Sequence, residues 1–344
     1  MPIKVLVTGA TGFVGTWIVE AWLAGGHDVR ALVRDRQKAA DILDPTVEVI
    51  TGDATDPATM DRALEGQDVI VHGAAAYRYG RGLGDEMQRT APLLARTAFE
   101  AAKRSGTSHV IDISSGIVFA PHLDKARGLV TDIDSPGWPR DDIRWRDPYL
   151  ASKTLAYEVT ERARGEGMLI SSVHPALIVG PRDRGPGVSG TLLRSLLVDR
   201  LIPDAAIPWV DVRDIADIVV AVGALPPGER YLAVGATLTL RETAKVVGRV
   251  TGTSRRHLWT APAMVRAMAS FNDVTGGRIM PALPHRPSVE FLLGDKGLVD
   301  GSSGAAALGR VYRPFEETVR DAVSWWAANG LLTPAQAGLA ASRT

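Results

Sequence analysis

The sequence has no cysteine. Disulfides, thiolate nucleophiles and cysteine-ligated metals are therefore excluded. Neither sign of charge is in excess: 39 Lys and Arg face 39 Asp and Glu. Binding to a phosphate backbone wants a basic face, so nucleic acid is not an expected partner. No uninterrupted run of about 18 apolar residues occurs, so no membrane span is expected. Thr8, Gly9, Thr11 and Gly12 break the apolar stretch after Lys4, which reads as strand and turn rather than signal peptide. A cytoplasmic location is expected. There is no internal repeat, and the seven histidines are scattered without a carboxylate cluster, so no metal is expected. Aromatic residues are sparse at 6%, which makes the pair Tyr77 and Tyr79 stand out.

The chain of 344 residues is long enough for a large core or two packed units. Short β-branched runs at 3–7, 29–33, 47–51, 69–72, 110–114 and 169–174 read as buried strands. Helical patterns lie between them: Val14, Ile18, Ala21 and Trp22 recur until Gly25-Gly26 stops the first, and others cover 57–64 and 84–104, with Pro92 expected to bend or split the last. A helix from Pro148 to about Gly165 precedes the sixth strand. Alternation of this kind predicts an α/β fold with a doubly wound parallel Rossmann sheet. The stretch after Ala120, with Pro121, Pro136 and Pro139, reads as an irregular loop. Residues 1–178 are expected to form the dinucleotide-binding domain, with 207–223 returning to it. Residues 179–206 and 224–332 are expected to form a smaller substrate-binding domain, and 333–344 a frayed tail.

Between the first strand and first helix lies Thr8-Gly9-Ala10-Thr11-Gly12-Phe13-Val14-Gly15. Glycines there permit a tight turn and close approach of backbone to a pyrophosphate, which the helix N-terminus attracts. Gly9, Thr11, Gly12, Phe13, Val14 and Gly15 are thus candidate cofactor contacts. A carboxylate at the end of strand two suits NAD, and an arginine suits the extra phosphate of NADP. Arg34 holds that position, so NADP (NADPH) is the expected cofactor; the opposing reading turns Asp35 to the ribose and leaves Arg34 in solvent. Asp53 and Ala54 follow strand three, where the carboxylate either meets the adenine or serves as an N-cap or turn residue before the Pro57 helix. Ala74, Ala75 and Ala76 follow strand four and are small enough for a cofactor to pass over.

Tyr149 and Lys153 stand four residues apart on the helix that begins at Pro148, hence on one face. A cation beside a phenol favours the ionised form, which makes the pair a plausible acid and base for alcohol–carbonyl chemistry. His174 reads as a structural residue at a strand end. Arg182 and Arg184 read as solvated charges.

Taken in order, TGATGFVG at 8–15, HGAAA at 72–76, ISSGIVFA at 113–120, PYLASK at 148–153, HPALIVGPRD at 174–183 and WVDVRDIA at 209–216 resemble an extended short-chain dehydrogenase/reductase. Within that superfamily the chain looks most like the NADPH-dependent carbonyl reductases, the group of dihydroflavonol reductase, cinnamoyl-CoA reductase and 3β-hydroxysteroid dehydrogenase. The resemblance implies a Ser–Tyr–Lys triad of Ser115, Tyr149 and Lys153, with Ser114 as the neighbouring fallback and a cofactor contact. Pro175 and the backbone after it, Ile178 included, would lie near the nicotinamide. Two departures stand out. Thr90 to Ala95 lacks the family's asparagine, and Phe119-Ala120 replaces its Tyr-Gly.

The implied activity is reduction of a ketone or aldehyde of a hydrophobic small molecule. Tyr77, Tyr79, Ser115, Trp145 and Trp209 are candidate substrate contacts, and Gly80, Gly82 and Gly84 would let a lid move. The competing readings are a nucleotide-sugar epimerase or dehydratase with retained NAD, and a non-catalytic dinucleotide sensor. A homodimer is expected by analogy with the family.

Overall fold

A computed structural model describes residues 2–75, 84–185, 187–253, 255–275, 285–294 and 297–343. The first half alternates strand and helix as the apolar runs dictate. Its elements are β1 (Lys4–Thr8), α1 (Phe13–Ala24), β2 (Asp28–Val33), α2 (Arg36–Ile42), β3 (Glu48–Thr51), α3 (Pro57–Leu64), β4 (Val69–His72), α4 (Gly84–Ser105) and β5 (His109–Ile113). Helix α3 starts where its sequence says it should: Pro57 sits in the first turn and the Asp56 side chain accepts from the Thr59 N–H. Helix α4 runs unbroken through Pro92. Helix α2 carries no amphipathic signal strong enough to read in advance. The side chain of Asp35 caps it by accepting from the Lys38 N–H.

A small hairpin, β6 (His122–Asp124) and β7 (Gly128–Thr131), occupies the segment expected to be irregular. Then come α5 (Pro148–Gly165), β8 (Ile170–Pro175), β9 (Leu177–Val179), α6 (Val188–Val198), β10 (Leu201–Pro203), β11 (Ala206–Asp211), α7 (Val212–Ala224) and β12 (Arg230–Ala233). The chain ends with β13 (Ala236–Thr239), α8 (Leu240–Thr251), β14 (Leu258–Thr260), α9 (Pro262–Val274), α10 (Arg286–Leu293), β15 (Leu298–Val299), α11 (Ser302–Leu308), α12 (Phe315–Ala328) and α13 (Pro334–Ala337).

Seven parallel strands form the main sheet in the order β12-β8-β5-β4-β1-β2-β3. The fold is a Rossmann-like α/β sheet. Strand order reverses between β1 and β4, and a ligand crevice is expected at the carboxyl ends there. The seventh strand comes from Arg230–Ala233, inside the stretch assigned from sequence to the substrate unit. Strand β11 does not rejoin the main sheet: it pairs with β9 and β13 in a separate three-stranded sheet, and only α7 packs back.

Three large cores result. The first lies around Val5, Val7, Trp22, Ile111 and Val219 beneath the main sheet. The second gathers Trp209, Leu240, Val247, Val323 and Trp326 in the C-terminal half. The third lies around Leu6, Met60, Ile70, Phe99 and Ile170. The terminal residues, expected to fray, instead carry α13 and a final turn, with Ala337 and Ala340 buried in the second core. Among the described residues no helix is long and apolar enough to cross a membrane.

Candidate active site

The glycine turn is built by backbone geometry. Gly9 has φ +75°, and a Cβ there would lie 2.6 Å from the Gly73 carbonyl oxygen. A Cβ on Gly15 would run into the carbonyl of Gly9. Only glycine meets both demands, a left-handed turn and direct backbone contact. Gly12 then opens α1 as its N-cap, and no side chain caps that helix. The first-turn N–H groups thus remain for an anion, as a pyrophosphate requires.

Thr8 locks this turn to the next strand. Its Oγ1 accepts from the N–H groups of Gly73 and Ala74, at 3.2 and 3.1 Å, and contacts His72 Nδ1 at 3.3 Å. Ala74 and Ala75 follow directly. Ala76, Tyr77 and Tyr79 lie outside the described residues.

Arg34 stands exposed immediately after β2, and Asp35 is occupied as a helix cap. The two alternatives at this strand end therefore differ in what they leave free: the arginine faces solvent and the aspartate already has a backbone partner. Asp53 uses Oδ1 to accept from the Thr55 N–H and hydroxyl, both at 2.8 Å. These bonds hold its carboxyl below the usual range, with Arg34 adding a smaller pull. It is a turn aspartate, and the cap of α3 is Asp56 instead.

The second half of the site lies on α5. Asp147 caps the helix by accepting from Leu150 N–H at 2.8 Å, and Pro148 sits in its first turn. Tyr149 and Lys153 follow in the first turns, on the face toward β5. Together with Ser114, His72 and Asp112 they line a cavity of about 30 Å³. That volume admits about one water, so it is a chamber beneath the crevice rather than a substrate pocket. Ser115 does not line the chamber. It caps the short turn at 116–118, its Oγ accepting from the Ile117 N–H at 3.3 Å. The structure thus brings Ser114, Tyr149 and Lys153 together and sets Ser115 beside them. Pro175 ends β8 with its carbonyl near Gly116, and Ile178 continues into β9 against the main core.

Charge in the chamber is closely balanced. Burial lowers the Lys153 pKa, and Asp112 opposes that shift. Burial raises Asp112 to about 6, against the pull of Lys153 and the Thr160 hydroxyl. His72 is pushed down to about 4, by burial first and by Lys153 second. From sequence, His72 is only the strand end that opens the motif at 72–76 and Asp112 only part of an apolar strand run, so neither is assigned a role there.

The other candidates separate. Trp209 is wholly buried in the second core, stacked on Phe315 at 5.7 Å, with Nε1 donating to Thr243. It is no substrate contact: β11 belongs to the small sheet and turns this ring inward. Trp145 is half-buried, beneath the Arg140 guanidinium at 4.0 Å, and donates to the Trp138 carbonyl. It does not line the chamber. His174 is a core residue, bonded to Ser172 at 2.9 Å and set among Phe119 and Tyr157; burial holds it down near 3. Arg182 adopts φ 70° and is pinned to α1, stacked over Trp17 and paired with Glu20. Among the described residues no group of His, Asp or Glu is placed to hold a metal.

Comparison with known proteins places this geometry. The family model described as NAD dependent epimerase/dehydratase family matches residues 5–233. The chain is 28% identical over 335 residues to sterol demethylase protein B of Methylococcus capsulatus, covering 95% of this chain and 99% of that one. It is 24% identical to a putative dihydroflavonol 4-reductase of Synechocystis, over 94% of each. The crystal structure of gox2253 superposes with a TM-score of 0.80 at 25% identity, covering 97% of this chain and 100% of that one.

Proposed function

The chain belongs to the NAD dependent epimerase/dehydratase family, and on that premise we propose that it is an NADPH-dependent carbonyl reductase. It reduces a ketone or aldehyde of a hydrophobic small molecule to the alcohol. One observation carries the reading: Tyr149 and Lys153 share a face of α5 and meet the end of β5 across one chamber, beside the glycine turn. The fit to a dinucleotide rests on the turn itself, where Gly9 and Gly15 leave room that a Cβ would fill.

When bound, the dinucleotide supplies the hydride. The protein's residues handle position and the proton. Gly9, Gly12 and the first turn of α1 hold the pyrophosphate through backbone N–H groups. Arg34, exposed at the end of β2, pairs with a 2′-phosphate. Ser115 already accepts a bond from Ile117, so its hydroxyl proton remains to donate to the carbonyl oxygen as charge grows there. Tyr149 gives that oxygen its proton. Lys153 supplies the positive charge that eases the phenol's loss of the proton. The apolar substrate class is supported by the relative named for a sterol.

The test is NADPH oxidation against sterol-like, aromatic and polyketide-like ketones, with NADH in parallel. Turnover with NADPH on one of these classes is expected. Equal or better use of NADH overturns the role of Arg34, and tightly retained NAD in the purified protein favours an epimerase or dehydratase.

A further inference from the structure

Strand β5 reads Val110-Ile111-Asp112-Ile113 in the middle of a parallel sheet, covered on both faces. Such strands are continuous apolar runs. A carboxylate at the centre is costly unless partnered. Asp112 is only 6% exposed. Its immediate neighbours in the sheet are His72 on β4 and Ser172 on β8. Neither brings a positive charge at neutral pH, since burial keeps His72 neutral.

The partner comes from α5. Tyr149, Lys153, Ala156 and Thr160 fall at i, i+4, i+7 and i+11, one stripe of the helix. Thr160, fully buried, donates to Asp112 Oδ2 at 3.0 Å. That bond fixes one oxygen of a carboxylate that itself lines the chamber. Lys153 enters the same chamber from the turn above. Helix α4 adds only Ala91 and Ala95 to the wall. Arg164, lower on α5, acts on Asp112 more weakly than Lys153 and Thr160. Among the described residues lining the chamber, Asp112 is the one carboxylate and Lys153 the one ammonium.

We propose that Asp112 is the positioning residue for Lys153: across a chamber with room for one water, its carboxylate is the counter-charge that keeps the half-buried lysine ionised beside Tyr149. A lone buried ammonium gives up its proton rather than stay charged. Opposed by a fixed carboxylate, it stays positive. The proposal's catalytic part rests on the reductase reading above; the charge pairing does not.

The test uses the full chain and two readouts. Asp112→Asn keeps the shape and the acceptor for Thr160 but removes the charge. In the reductive direction the alkaline limb of its kcat/KM profile moves to lower pH by about one unit or more, because the lysine then loses its proton earlier. A purely structural role lowers the whole profile without moving that limb. The second readout needs no substrate: melting temperatures at pH 7 for Asp112→Asn, Lys153→Met and the double variant. Lys153→Met strands a buried carboxylate, so the double variant melts above Lys153→Met alone. Additive losses overturn the pairing, whatever the activity. An alkaline limb that stays in place in an active Asp112→Asn enzyme overturns its part in the reaction. Absence of turnover with a non-additive cycle sinks the reductase reading and leaves the pairing intact.

Discussion

The two cores that hold buried tryptophans put them to one use and their strand ends to two. Under the main sheet, Trp22 is packed away and the carboxyl ends of β1, β4 and β5 present Gly9, Gly73, Ser114 and the stripe of α5. In the C-terminal half, Trp209 and Trp326 are equally buried, but β9, β11 and β13 form a separate sheet, and the polar group at the end of β11 is self-satisfied: Asp211 accepts from Arg213 and Thr318, and Arg213 pairs with Asp321. On the proposed reading, backbone turns and strand ends of the main sheet carry the chemistry, while the polar groups of the C-terminal half bind one another. The indole of Trp209, although it lies in the motif at 209–216, is a packing residue.

The largest test of that contrast is Trp209→Ala. It should destabilise the fold by about 3–5 kcal/mol, as for other fully buried tryptophans, and leave the ratio of kcat/KM between two ketones unchanged. Urea titration and a two-substrate assay read both; altered selectivity with intact stability would reverse the contrast. On the other side, Gly15→Ala inserts a methyl against the Gly9 carbonyl. About 1–3 kcal/mol of overpacking is expected in the turn, seen as at least a tenfold weaker dinucleotide affinity by calorimetry. Unchanged affinity would mean the turn does not hold the pyrophosphate. Arg34→Ser removes a charge-assisted bond of about 1.5–3 kcal/mol. NADPH affinity should fall roughly tenfold to a hundredfold while NADH affinity stays level; equal losses would show that Arg34 does not read the phosphate.

The smallest effect concerns a buried histidine away from the chemistry. His174 is held neutral, its pKa pushed down to about 3 by burial. The unfolded chain protonates it near pH 6.5, so its contribution to stability is whole above that pH and is lost as pH falls toward 3. The stability gap between wild type and His174→Gln should therefore shrink below pH 6.5 by about 1.4 kcal/mol per pH unit. Denaturant titrations at pH 7, 6 and 5 follow it. A constant gap would mean that His174 is charged in the native state.

Much of the site's frame was legible because it is local. The strand, glycine turn and helix from Lys4 to Ala24 occupy one continuous stretch, and the Tyr149–Lys153 spacing fixes a helix face by itself. What escaped depends on partners far away in sequence. Asp112 reads as a blemish in a strand until Thr160 and Lys153 come round against it. Arg230–Ala233 is four residues long, and only pairing with β8 makes it the seventh strand. Likewise the hairpin at 122–131 gains its third strand from Leu298–Val299. Ala337 and Ala340 look like a tail until α12 offers them a core.

The claim that matters most is that Tyr149 delivers the proton at a dinucleotide site built by the glycine turn. Tyr149→Phe tests it directly, with cofactor affinity and turnover measured on the same preparation. NADPH binding should stay unchanged and kcat should fall by about 10²–10⁴-fold. Turnover at the wild-type rate with bound NADPH would contradict it.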